Sequence, residues 1–325
     1  MDAVLRFEEV GCVLCGSEAS DPVLFGKDLI HQLPGTFSIV RCRECGLLYT
    51  NPRPSSESMI HYYPDDYGPH HPVKEKKDHR SDSSDDNKGL RRRISSFIGR
   101  LLDSNSTALP CFKSPGRVLE IGCASGAFLS LMRNKGWDTF GIEFATRPVT
   151  YAREMLGLNV IQGIAEKMEF PEDTFDLVVA WMVVEHLHNP LEALKRIANV
   201  LKKSGIFAFS VPNAGSWEFK LFKGYWRGLH LPNHLYHFTI QSLRLLLKKA
   251  GLQMERIIFQ KCMRNVMASL GFVLRESWGE TMLSRALIRY PEEGRWYTQM
   301  LLMPLCSLEA VLKQSGRITI WARKL

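Results

Sequence analysis

The sequence predicts an α/β fold, a parallel sheet with helices on both faces, preceded by a small β-rich segment that carries metal-binding cysteines. Three observations lead there. From Gly116 onward compact apolar runs alternate with helix-like stretches, as in a parallel sheet covered on both sides. The first of them, in "VLEIGCASGAFLSLM" (Val118 to Met132), passes through a small-residue turn into a helical pattern. Ahead of it, four of the eight cysteines fall into two pairs. At 325 residues and 45% apolar composition the chain can bury a large core.

The cysteine pairs are "CVLC" (Cys12, Cys15) and "CREC" (Cys42, Cys45), each followed by glycine. Two intervening residues let both thiolates of a pair reach one tetrahedral zinc, and Gly16 and Gly46 permit the left-handed turn that aims amides at sulfur. The 26 residues between the pairs form their own hairpin or loop. "FSIVRC" and "GLLYTNPRP" are strand-like, so residues 1–60 read as a zinc-ribbon-like segment with a structural Zn2+. Two disulfides or unpaired thiols are the alternative, disfavoured because nothing indicates an oxidising compartment. Cys111, Cys123, Cys262 and Cys306 are scattered.

Residues 61–89 are polar and charged, as a flexible linker would be, and contain His70, His71 and His79. Over 90–114, Leu90, Ile94, Phe97, Ile98, Leu101 and Leu102 recur at helical spacing opposite arginines. Such a helix packs as the lead-in to a domain or lies on an anionic membrane.

Residues 115–260 form the core. "RVLEIG", "WDTFGIE", "LNVIQG", "FDLVVAW" and "GIFAFSVP" are its strands. "PLEALKRIANVLKKSG" is a helix, capped by Asn189 with Pro190 in its first turn and stopping at Gly205. Residues 261–325 begin with a helical insert and end in a closing strand, "RITIWARKL", and "GLQMERIIFQ" before the insert is also strand-like.

The turn Gly122, Ala124, Gly126 lets backbone approach a ligand closely, and Glu143, 21 residues beyond Gly122, can accept hydrogen bonds from ribose hydroxyls. With Glu120 two residues before Gly122, and with "FDLVVAWMVVEHLHNP" downstream, this pattern resembles the class I S-adenosylmethionine-dependent methyltransferases. The resemblance implies a Rossmann-like seven-stranded sheet. It places the methionine and ribose parts of S-adenosylmethionine against Glu120, Gly122, Cys123, Ala124, Ser125 and Gly126, and the ribose on Glu143. Phe144 would flank the adenine, Ile164, Ala165 and Glu166 would line its edge, and Trp181 and Met182 would close the pocket unless they are plain core. Together with the cysteine pairs and "HLPNHLYHFTIQSLRLLLKKAG", the pattern looks like bacterial methyltransferases with a zinc-binding N-terminus, many of which act on sugars, lipid-linked glycans or other small metabolites.

Methyl transfer to oxygen needs a proton acceptor, and His186, His234 and His237 follow strands that end at the cofactor face. Asn213 and Tyr236 are placed to orient the acceptor, and Trp217, Phe222 and Trp226 to wall it or to pack as a lid. The expected activity is transfer from S-adenosylmethionine to a small-molecule acceptor such as a sugar or lipid-linked glycan. An RNA base methyltransferase and a non-catalytic zinc-ribbon binding protein are the alternatives. The formal charge of +8 is spread out, with Arg91, Arg92 and Arg93 its only tight run, which argues against a nucleic-acid partner. Met1 to Val10 does not read as a signal peptide, and Met300 to Val311, broken by Pro304 and Glu309, is too short for a transmembrane span. A cytoplasmic protein, or one peripheral to the inner face of the membrane, is expected.

Overall fold

The structure is a computed structural model that describes residues 5–63, 108–293 and 296–325. Residues 61–63 do not belong to the linker expected over 61–89: a one-turn helix, Met59–Tyr62, buries Tyr62 and closes the N-terminal segment, while the rest of that linker, from residue 64 onward, and the lead-in helix up to residue 107 lie outside the described residues.

In chain order the first strands are β1 (Phe7–Glu8), β2 (Ser20–Gly26), β3 (Phe37–Cys42), β4 (Leu48–Thr50) and β5 (Arg53–Pro54). The core follows as β6 (Arg117–Ile121), α1 (Ala127–Asn134), β7 (Asp138–Glu143), α2 (Thr146–Glu154), β8 (Asn159–Gln162) and β9 (Phe175–Trp181). It continues through α3 (Pro190–Val200), β10 (Leu201–Pro212), α4 (Trp217–Phe222), β11 (Tyr236–His237), α5 (Ile240–Lys249) and β12 (Leu252–Phe259). Three helices, α6 (Arg264–Trp278), α7 (Met282–Glu293) and α8 (Trp296–Val311), precede β13 (Arg317–Lys324).

Seven strands form one sheet in the order β12-β13-β10-β9-β6-β7-β8. The pairs from β10 to β8 are parallel, and β13 runs antiparallel between β10 and β12. Val118, Leu119, Leu177, Val178, Phe207 and Ala208 on adjacent central strands are all fully buried, as a sheet covered on both faces requires. Parallel strands end together, so the turns after β6, β7 and β9 share one edge, where α/β folds bind ligands.

The helix after Asn189 is shorter than expected. Asn189 Oδ1 accepts the Glu192 amide at 3.1 Å and Pro190 is in the first turn. The helix ends at Val200 because Leu201 already pairs with Phe175 in the sheet, and an irregularity in register carries the chain on to the Ile206–Leu177 pair.

A second sheet has the order β11-β4-β3-β2. Its outer strand comes from the core: Tyr236 pairs with Tyr49 and His237 with Leu48, antiparallel. The cysteine-bearing segment is thus stitched into the core by backbone hydrogen bonds.

Candidate active site

The turn after β6 is set by conformation. Gly122, Ala124 and Gly126 have φ of +67°, +45° and +83°. A methyl group on Gly122 would meet Val183 at 2.6 Å, so the chain passes too closely there for a side chain. The Gly122 and Cys123 amides donate to the Ile142 carbonyl at 2.8 and 3.1 Å, which docks the turn on the end of β7. There Glu143 accepts the Ala124 amide at 2.9 Å and the Ala145 amide at 3.0 Å.

These residues open onto a cavity of about 1240 Å³. Of the positions expected to hold the cofactor, Gly122, Ala124, Glu143, Phe144, Ile164, Ala165, Glu166, Trp181 and Met182 line it. Glu120, Cys123, Ser125 and Gly126 are not on its wall. Glu120 is buried behind the turn, and burial together with the neighbouring Glu143 charge holds its carboxyl well above the usual carboxylate range. Its Oε2 has no hydrogen-bond partner among the described residues. Burial also raises Glu143, against the pull of the amides it accepts. Cys123 packs on Gly141, where an added methyl would come within 2.7 Å of its sulfur. Met182 holds φ of +57° immediately after β9, a left-handed conformation that non-glycine residues adopt at a cost and that recurs at functional sites.

The opposite wall comes from three parts of the chain. The cysteine-bearing segment contributes Ile30, His31, Met59 and Tyr63, the stretch after β10 contributes Arg227, His230 and His234, and α6 and α7 contribute Arg264, Asn265 and Glu292. Sequence reasoning missed His31, His230 and Tyr63, because their proximity depends on how the two sheets join. Imidazoles cluster here. The His186 ring lies 4.6 Å from that of His234, centroid to centroid, and His230 lies 5.0 Å from His234 and 5.8 Å from His31. The Tyr63 hydroxyl is 2.9 Å from His186 Nδ1. Burial pushes His186 down to about 4, partly opposed by the Asn233 backbone, and drives His230 and His234 well below the ordinary imidazole range.

His237 does not join this cluster. It sits in β11, 2% exposed, with Nε2 3.2 Å from Thr50 Oγ1, and is not on the wall of the cavity that His234 lines. Tyr236, Asn213, Trp217 and Trp226 are likewise engaged elsewhere. The Tyr236 hydroxyl donates to the His188 carbonyl at 3.0 Å and accepts from Arg53 at 3.0 Å. Asn213 donates to the Ser315 carbonyl. The indoles of Trp217 and Trp226 donate to Glu309 and Glu218 at 2.7 and 2.9 Å. Phe222 packs beside Trp217.

The four cysteines of the N-terminal segment converge. Cys12 and Cys45 sulfurs are 3.3 Å apart and those of Cys15 and Cys42 3.4 Å, with all four within 4.8 Å of one another. Tetrahedral zinc with bonds of about 2.3 Å spaces its sulfurs by about 3.8 Å. The donor set therefore fits a zinc-ribbon-like segment. Gly16 and Gly46, at φ of +76° and +73°, donate to the Cys12 and Cys42 carbonyls, forming two equivalent knuckles.

A family model described as a methyltransferase domain matches residues 87–257, more than half of the chain. A ubiquinone biosynthesis O-methyltransferase of Aliivibrio fischeri is 30% identical over 103 residues, which is 30% of this chain and 44% of that protein. A phosphatidylethanolamine N-methyltransferase of Cereibacter sphaeroides is 34% identical over 97 residues, 28% of this chain and 47% of that protein. The chain thus spans under half the length of these curated relatives. Among solved structures, a SAM-dependent methyltransferase from Archaeoglobus fulgidus aligns with a TM-score of 0.45 at 18% identity, covering 74% of this chain and all of that one. The turn after β6 with its partner acid, the seven-strand order and the matched residues agree: this chain belongs to the methyltransferase-domain family.

Proposed function

We propose that the protein transfers the methyl group of S-adenosylmethionine to a small-molecule or lipid acceptor. The observation that carries this reading is the union of the Gly122–Gly126 turn with Glu143 on the wall of a cavity large enough for two ligands. Glu143 would hold the ribose hydroxyls, Phe144, Ile164, Ala165 and Glu166 the adenine, and Gly122 and Ala124 the methionine portion, with Glu120, Cys123, Ser125 and Gly126 supporting the turn from behind. Trp181 and Met182 separate this half from the acceptor half. When bound, the cofactor supplies a methyl group activated by a positive sulfur.

The chain's own contribution is alignment, since an in-line displacement is accelerated chiefly by fixed geometry. Trp181 is held by an edge-to-face contact with Phe128 at 5.6 Å. The imidazoles of His31, His186, His230 and His234 line the acceptor side, where a hydroxyl would need to lose a proton. We assign acceptor recognition to residues 261–325 together with the stretch after β10, since Arg227, Arg264 and Arg317 all reach the cavity. Residues 1–60 would bind a structural zinc and complete the same wall. Among the described residues no helix is long and apolar enough to cross a membrane, so contact with a lipid acceptor would be peripheral.

The test is calorimetric titration of S-adenosylmethionine into the purified chain, followed by transfer of labelled methyl to a panel of hydroxylated prenyl quinone precursors, aminophospholipids, free sugars and lipid-linked glycans. Saturable binding and label in one acceptor class are expected. A folded, zinc-loaded chain that gives no binding heat refutes the proposal.

A further inference from the structure

Glu185 presents an electrostatic problem. It is fully buried, and neither carboxylate oxygen has a hydrogen-bond partner among the described residues. No lysine or arginine among them forms an ion pair with it. Burial disfavours its ionised form, its own backbone and the Arg317 charge oppose this only in part, and a bound cation would offset the remaining cost.

The groups around it are metal donors. His234 Nε2 lies 3.9 Å from Glu185 Oε1, and one donor atom each from Glu185, His186 and His234 all lie within 4.8 Å of one another. His234 is also prepared as a ligand. Its Nδ1 is 2.8 Å from the Gly228 carbonyl oxygen, which can only accept, so Nδ1 carries the proton and Nε2 presents its lone pair toward Glu185.

We propose that Glu185, His186 and His234 bind a divalent first-row transition metal at the acceptor side of the cavity. Two imidazoles and one carboxylate are a mixed set suited to zinc, iron, cobalt or manganese, and distinct in kind from the four thiolates near Cys12. Donors about 2.0–2.2 Å from such an ion sit about 3.0–3.5 Å apart, so loading draws the three side chains inward by about an ångström. His186 and His234 line the cavity, which leaves the remaining coordination positions open to an acceptor oxygen. With the ion in place these two residues act as ligands. Metal binding itself does not rest on the methyl-transfer reading.

The test uses the full chain with zinc in its cysteine cluster, titrated with Co2+ in the absence of S-adenosylmethionine. A second equivalent is expected to bind with visible d–d absorption and without the near-ultraviolet thiolate-to-cobalt band. Glu185→Gln and His234→Gln should each weaken it at least about tenfold, the order of loss seen when a site's ligand shell is disturbed. Because a substitution in a buried cluster can impair folding, Mn2+ broadening of the His186 and His234 imidazole signals in the unsubstituted chain provides a second readout. Absence of a second equivalent, appearance of the thiolate band with it, or unchanged affinity in both variants overturns the proposal. Failure of methyl transfer with cobalt still bound would count against the proposed activity alone.

Discussion

The Glu143 carboxylate accepts the Ala124 amide at 2.9 Å, so the acid ending β7 and the small-residue turn after β6 form one unit. One oxygen of Glu143 fixes the turn while the other accepts the Ala145 amide at 3.0 Å. Hydrogen bonds to a charged group contribute about 1.5–3 kcal/mol each, and a side-chain amide in its place can accept with only one of its two atoms. Glu143→Gln is therefore expected to lower S-adenosylmethionine affinity about 10- to 100-fold, read by calorimetry on protein whose melting shows it folded. Unchanged affinity would mean that the acid serves the turn alone.

Ala124 adopts φ of +45°, a conformation that costs a non-glycine residue about 1–2 kcal/mol. Ala124→Gly removes that strain at the expense of a more flexible unfolded chain, and a net gain of up to about 1 kcal/mol is expected in urea unfolding. Gly126→Ala does the reverse. Its methyl would clash with Leu158 Cδ1 at a φ of +83°, so a loss of about 1–3 kcal/mol is expected in the same measurement.

This turn was legible in the sequence because its residues are contiguous and its partner acid ends the next strand. The seven strands were legible for a related reason, since parallel strands buried on both faces read as unbroken apolar runs. The end of the helix after Asn189 was misplaced because "LKKSG" continues a helical composition while Leu201 is claimed by a partner strand distant in sequence. The histidine wall was only half legible. His186 and His234 were found by their place after strands, but His237 was grouped with them although it pairs with Leu48 across the join between the sheets and contacts Thr50 instead of the cavity. His31 and Tyr63 reach the cavity only because Tyr236 pairs with Tyr49, a contact no local pattern announces.

The join between the sheets makes metal removal informative. The cysteine-bearing segment supplies Ile30, His31, Met59 and Tyr63 to the acceptor wall but none of the positions assigned to the cofactor. Cys42→Ser, which removes one thiolate and leaves Glu185, His186 and His234 in place, is expected to reduce acceptor turnover by about tenfold or more while S-adenosylmethionine affinity changes by less than about threefold, loss of a structural zinc costing its segment most of its folding energy. Equal loss of both would show that the segment also holds up the cofactor half.

Burial holds His237 down to about 3, below its ordinary 6.5, in contact with Thr50 rather than the cavity. A depressed pKa contributes stability above about pH 6.5, and that stability is lost as pH falls toward 3. His237→Ala should therefore cost stability at neutral pH by about 1–3 kcal/mol, through the lost packing and the lost contact with Thr50, whose hydroxyl keeps its hydrogen bond to the His234 carbonyl, and should flatten the acid side of the stability curve. The pH profile of turnover should keep its shape. A shifted kinetic pKa in this variant would make His237 a participant after all.

Glu218 gives the opposite slope. Its carboxylate accepts the Trp226 indole at 2.9 Å and the Gly316 amide at 3.1 Å, yet burial raises it to about 7, and Glu309 nearby is also raised to about 7, by burial and then by the Glu218 charge. An acid whose pKa is raised on folding binds its proton more tightly in the folded state. Its contribution is complete below about pH 4.5 and is lost as pH rises through 7. Glu218→Gln cannot ionise but can accept only one of the two donors, so it should be less stable than the unsubstituted chain at pH 5, by about 1–3 kcal/mol, with the deficit shrinking at pH 8. The comparison is of urea midpoints at the two pH values. If the deficit is the same at both pH values or grows at pH 8, Glu218 remains ionised on folding and the two donors from Trp226 and Gly316 outweigh its burial.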